Sequence, residues 1–134
     1  MGMAMRFLVY GALGWTVEIV WTGLGSLLRG DPRLSARTYL WMFPIYGGGA
    51  LLFERIYAVI SHQPWGVRGL VWTAAVFTVE YASGVFIRRL VGRVPWDYSG
   101  AALAVNGLIR LDYAPAWFAL GLLFERAYLL LIGP

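Results

Sequence analysis

Phe7-Leu-Val-Tyr-Gly-Ala-Leu-Gly-Trp-Thr-Val-Glu18-Ile-Val-Trp-Thr-Gly-Leu-Gly-Ser-Leu-Leu28 is the stretch that decides the fold. It lies between Arg6 and Arg29 and carries a single charge, Glu18, at its centre. The hydrocarbon core of a bilayer is about 30 Å thick, so about 20 apolar residues in a helix cross it. With no water at that depth, a helix is how one such segment satisfies its own backbone donors and acceptors. Tyr39–Ser61, Val67–Ile87 and Ala114–Ile132 read the same way, the second and fourth interrupted by Glu54-Arg55 and Glu125-Arg126. The whole chain is 60% hydrophobic and 13% charged, too apolar for a soluble domain of its 134 residues. The expectation is an all-α membrane protein, one transmembrane domain over 1–134 with four spans.

The first span is too long for the apolar region of a signal peptide, and no small-residue cleavage site closes it, so it reads as a mature helix. Met1-Gly2 is no myristoylation signal, because Arg6 stands where Ser or Thr is required. The absence of cysteine excludes disulfides, thiolate metal sites and cysteine nucleophiles. His62, the single histidine, reads as a solvated connector residue. No metal or cofactor motif stands out, and nothing points to nucleic acid. The formal charge is +4, all from arginine. Arg29, Arg33 and Arg37 follow the first span and Arg88, Arg89 and Arg93 the third, which by the positive-inside rule puts both connectors in the cytoplasm and both termini outside. Recognition of lipid phosphate is the second reading of these arginines, and membrane lipids are the expected surroundings.

The spans repeat. Pro44 stands 71 positions before Pro115, and at the same offset Leu51-Leu-Phe-Glu54-Arg55-x-Tyr57 is echoed by Leu122-Leu-Phe-Glu125-Arg126-x-Tyr128. At an offset of 62, Thr16-Val17-Glu18 becomes Thr78-Val79-Glu80, and Tyr10 and Trp15 become Trp72 and Phe77. The expectation is two helical-hairpin repeats, about 1–65 and 66–134, parallel because each crosses twice, related by an axis along the membrane normal.

Helical spacing puts Gly11, Gly14, Glu18, Thr22 and Gly25 on one stripe, and Thr73, Glu80 and Gly84 on another. Small residues let helices approach closely in lipid. Glu18 and Glu80 lie deep in their spans, where an unpaired charge costs about 2.5–3.5 kcal/mol, so each is a candidate binding group. Glu54 and Glu125 lie nearer the ends. Adjacent helical residues point apart, so the pattern suggests reciprocal ion pairs across the pseudo-axis, Glu54 with Arg126 and Glu125 with Arg55. Before the last span, Trp96–Pro115 is too short to cross and reads as an interfacial helix or a re-entrant loop. Pro44 and Gly47-Gly48-Gly49 loosen the start of the second helix, allowing a kink or close approach by Arg37 or Trp15.

Gly14-Trp15-x-x-Glu18, Arg37, Pro44-Ile45-Tyr46-Gly47-x-Gly49, Val79-Glu80-Tyr81, Trp96-Asp97-Tyr98-Ser99, Asn106-Gly107-x-Ile109-Arg110-Leu111 and Trp117 follow one another in this order. Together they resemble the bacterial family of small integral membrane proteins described as putative ABC-transporter type IV, or CmpB-like permeases. The chain departs from that pattern at Met42-Phe43, where the family tends to have Gly-Pro. The resemblance implies transport in the bacterial inner membrane and marks Glu18, Arg37, Tyr46, Glu80, Trp96, Asp97, Tyr98, Asn106 and Arg110 as motif residues.

Three functions fit. In the first, a permease-type subunit in a homo-oligomer binds a small cation or protonatable substrate at Glu18 and Glu80, with Arg37 and Arg110 as counter-charges from the connectors. ATP-driven transport would need a separate ATPase subunit, since no ATP-binding motif is present. In the second, a membrane-embedded enzyme acts on a lipid or isoprenoid phosphate, though no Ser-His or Cys-His arrangement stands out. In the third, the chain is a scaffold whose buried charges set helix register.

Overall fold

The structure is a computed structural model and describes residues 1–133. Among the described residues the chain forms α1 (Met3–Leu28), α2 (Met42–Ile60), α3 (Trp65–Val91), a minimal antiparallel hairpin of β1 (Ala104–Val105) and β2 (Ile109–Arg110), a 3-10 turn at Leu111–Tyr113, and α4 (Ala114–Ile132). Three segments, Met3–Leu28, Trp65–Val91 and Leu111–Ile132, are long and apolar enough to cross a membrane. The second expected span forms as α2, a helix of 19 residues. It is long enough, but its mean hydropathy falls below that of the other three, with Gly47-Gly48-Gly49 and Glu54-Arg55 lowering it.

Two compact units divide within α2, one being Met1–Leu52 and the other running from Phe53 onward. In the first unit the small stripe of α1 receives the aromatic start of α2. A Cβ on Gly11 would lie 2.8 Å from the Phe43 ring, and one on Gly14 would lie 2.1 Å from Tyr46. Trp15 packs on Phe43, centroids 4.7 Å apart, and its indole donates to the Tyr39 carbonyl at 2.9 Å. Pro44 is tolerated because it falls in the first turn, where its missing N–H has no helical partner. Gly47 makes room for Phe7 and not for Arg37 or Trp15: a Cβ there would meet the ring and carbonyl of Phe7 at 2.8 Å. The connector is tied back to α1 at two places. The Thr22 hydroxyl accepts from the Arg37 amide at 2.9 Å and lies 3.1 Å from the Arg37 carbonyl, and the Ser26 hydroxyl donates to the Ser35 carbonyl.

In the second unit α3 and α4 meet through glycine again. A Cβ on Gly69 would lie 2.2 Å from the Phe118 ring, and one on Gly121 would lie 2.0 Å from Trp72. Phe53 and Phe124 close around Trp72, with centroids 5.0 and 5.4 Å from its ring, and Trp72 is completely buried.

The segment before α4 forms a hairpin and a 3-10 turn, which corrects the interfacial helix expected as one alternative. Asn106 (φ 53°) and Gly107 (φ 69°) both take the left-handed region at the centre of a turn closed by the Leu108 amide donating to the Val105 carbonyl at 3.0 Å, and Leu108 completes the three-residue loop between the paired Val105 and Ile109. The hairpin they close lies along the last turns of α3. Leu108 is fully buried against Gly84 and Trp96, and the Trp96 indole donates to the Leu108 carbonyl at 2.8 Å. The Asn106 side-chain amide donates to the Tyr81 hydroxyl at 2.7 Å, and Arg88 donates to the Asn106 carbonyl at 2.8 Å.

Equivalent positions make equivalent contacts inside each unit. Phe7 meets Gly47 in the first; 62 and 71 positions further on, Gly69 meets Phe118, with the large and small partners exchanged. Thr22 holds the Arg37 backbone, and the corresponding Gly84 is covered by Leu108. Ser26 bonds the Ser35 carbonyl, and the corresponding Arg88 bonds the Asn106 carbonyl.

Candidate functional site

The glutamates have different surroundings, and those surroundings sort them by task. Glu125 is 4% exposed and fully engaged. Arg68 Nε reaches its two carboxylate oxygens at 2.9 and 3.1 Å, the Trp72 indole donates to Oε1 at 2.7 Å, and Arg68 Nη1 donates to the Gln63 carbonyl at 2.6 Å. A charge met by a guanidinium, with an indole on the same oxygen, is a structural clamp. This corrects the expected partner, since Glu125 takes Arg68 and not Arg55. Arg55 and Arg126 are exposed, and among the described residues neither makes an ion pair, so the pairing of Glu54 with Arg126 does not form either. The reason is helical geometry. Successive residues are about 100° apart around the axis, so a Glu-Arg word with its glutamate turned inward turns its arginine outward.

Glu80 lies in the second half of α3 beneath an aromatic wall. The Tyr98 hydroxyl donates to Glu80 Oε2 at 3.2 Å. Tyr98 packs edge-on against Tyr113, centroids 5.7 Å apart at 75°, and Tyr113 against Trp117, 5.6 Å apart at 89°. Tyr98 is brought there by its backbone, whose amide donates to the Gly107 carbonyl at 3.0 Å. Tyr113 and Trp117 stand one turn apart across the start of α4. The guanidinium of Arg110 rests on this wall, 4.3 Å from the Tyr113 centroid and 6.0 Å from that of Tyr98. Asp112 grips it with two bonds, 3.0 and 2.7 Å, and that bonding raises the Arg110 pKa further, so it is always charged.

Glu18 is half-buried near the middle of α1, and among the described residues nothing bonds its carboxylate. Its carbonyl accepts from Thr22 at 2.8 Å, one turn from where the Arg37 backbone is fastened. The Arg37 side chain is exposed, so its backbone and not its charge approaches α1.

The remaining motif residues shape the scaffold. Tyr46 covers Gly14, Trp96 pins Leu108, and Asn106 turns the hairpin. Asp97 is exposed and accepts from the Ser99 hydroxyl and amide, which lower its carboxyl below the usual range. Tyr113, Asp112 and Arg68 belong to these clusters but were not singled out by sequence. Arg68 had one signal, since Arg6 precedes it by the 62 positions of the helical repeat.

Three helices long and apolar enough to cross a membrane, packed through glycine, define an α-helical membrane protein. Residues 5–132 match the family model described as putative ABC-transporter type IV, nearly the whole chain, and the protein belongs to that family. It is thus a membrane protein of transporter type. No solved structure matches the chain.

Proposed function

We propose that the protein is a permease-type subunit of the bacterial inner membrane, assembled as a homo-oligomer, that binds a small cationic or protonatable substrate at Glu18 and Glu80. The layout proposed with it is four spans in two parallel hairpin repeats, supported by the equivalent contacts inside each unit. The observation that carries the function is Glu18, a carboxylate near the centre of an apolar helix with no bonded partner among the described residues. A carboxylate at that depth is rarely kept for packing, which Ala or Ser serves better. Arg110 favours a cation over an anion as substrate, because Asp112 already meets its charge. An ATPase partner fits the family and lies outside this chain.

The test is uptake of methylammonium into proteoliposomes under an imposed pH gradient. The wild type is expected to carry it, and Glu18→Gln and Glu80→Gln are each expected to reduce uptake at least tenfold while the protein remains folded. Uptake unchanged in both variants would overturn the assignment.

A further inference from the structure

We propose that Tyr98, Tyr113 and Trp117 form a cage for an organic cation, an alkylammonium or guanidinium group, and that Arg110 is its built-in plug. The inference rests on the transport reading for the site, and deepens it by naming the substrate class.

Three observations converge. The rings meet nearly at right angles, 75° and 89°, at centroid separations of 5.7 and 5.6 Å, so the three form one contiguous aromatic surface. A cation already uses one of those faces, with the Arg110 guanidinium 4.3 Å from the Tyr113 centroid. A carboxylate is joined to the cage through the Tyr98 hydroxyl, 3.2 Å from Glu80. Aromatic faces attract soft, weakly hydrated cations through the ring quadrupole, most strongly when water is excluded. Hard cations such as calcium and magnesium instead require several oxygen ligands, which rings do not supply. The wall therefore selects the substrate by the softness of its charge, and Glu80 supplies the opposite sign.

Arg110 occupies one face of the wall. It leaves β2, where it pairs with Ala104, and Asp112 binds it at the rim of the wall. An incoming cation replaces the guanidinium on Tyr113, while Asp112 retains Arg110 as it withdraws. The plug lowers apparent affinity by the fraction of molecules it covers, so removing it strengthens binding.

The experiment is calorimetric titration of the purified protein in detergent with tetramethylammonium, guanidinium and sodium chlorides at constant ionic strength. Tetramethylammonium and guanidinium are expected to bind and sodium to give no heat. Arg110→Gln is expected to tighten tetramethylammonium about tenfold, and Tyr113→Leu to weaken it about tenfold, while Tyr113→Phe, which keeps the ring, stays within about threefold of wild type. If Arg110→Gln weakens binding, or sodium binds as well as tetramethylammonium, the cage-and-plug proposal is wrong. The two readings fail separately. Tetramethylammonium binding without methylammonium uptake leaves the cage and removes transport. Glu80-dependent uptake with no effect of Tyr113→Leu on binding leaves transport and removes the cage.

Discussion

The α1–α2 hairpin and the α3–α4 hairpin solve the same packing problem with exchanged parts. In one, Phe7 fills the space left by Gly47; in the other, Phe118 fills the space left by Gly69 at the equivalent positions. Packing of helices in lipid depends on close approach, so which helix supplies the glycine matters less than that one of them does. The connectors differ in length, residues 29–41 against 92–113. The longer one carries the β-hairpin and Tyr98, which lays a phenol on Glu80. The corresponding Glu18 has no bonded neighbour among the described residues. The extended connector thus gives Glu80 surroundings that Glu18 does not have.

The comparison breaks most severely at the Glu125 clamp. Arg68→Ala is expected to destabilise the protein by about 3–5 kcal/mol, because it leaves a buried carboxylate uncompensated. Arg68→Gln with Glu125→Gln is expected to recover a large part of that loss, read as melting temperature in detergent. Next in size is the exchange itself. Gly47→Phe alone is expected to cost about 2–3 kcal/mol by overpacking against Phe7. Combined with Phe7→Gly it copies the second hairpin's arrangement, and the double variant is expected to be more stable than Gly47→Phe alone. Additive losses would show that the two frames are not interchangeable.

Smaller effects belong to the connector. Gly107→Ala is expected to cost about 1 kcal/mol, since a Cβ is strained at φ 69° and approaches Asp97 Oδ1 at 3.2 Å. Hydrogen exchange at the hairpin amides would report it. The smallest effect is that of pH on Asp97. Its carboxyl is lowered in the folded protein, first by the Ser99 hydroxyl and then by the Ser99 amide. Its support for the turn is therefore complete above the ordinary carboxylate range and is lost as pH falls through the lowered value. Ser99→Ala is expected to move that loss to higher pH, which carbon-13 NMR of the Asp97 carboxyl would follow.

The helices were legible because their signal is long. Apolar runs placed α1, α3 and α4 within a few residues, and small-residue spacing marked the faces of Gly11, Gly14 and Gly84 that receive neighbours. The β-hairpin was hidden because its strands are two residues each, too short for alternation to register. Its one local sign was Asn106-Gly107, a turn dipeptide in the middle of an apolar segment. The partner of Glu125 was missed for a different reason. Repeat symmetry invites pairing of repeated words with each other, whereas the inward face of Glu125 meets the first turns of α3, where Arg68 stands alone. The aromatic wall was half legible, Tyr98 by its motif and Tyr113 only once the 3-10 turn set it beside Trp117.

The central claim is that Glu80 serves a ligand and Glu125 serves the fold. The most direct measurement is melting of Glu80→Gln beside Glu125→Gln, each with and without a panel of tetramethylammonium, guanidinium and sodium. The account expects Glu80→Gln to keep its melting temperature and lose the rise that an organic cation gives the wild type. It expects Glu125→Gln to melt well below the wild type and still be raised by the same cation. The opposite pattern, with Glu80→Gln collapsing and Glu125→Gln stable but unresponsive, would contradict it.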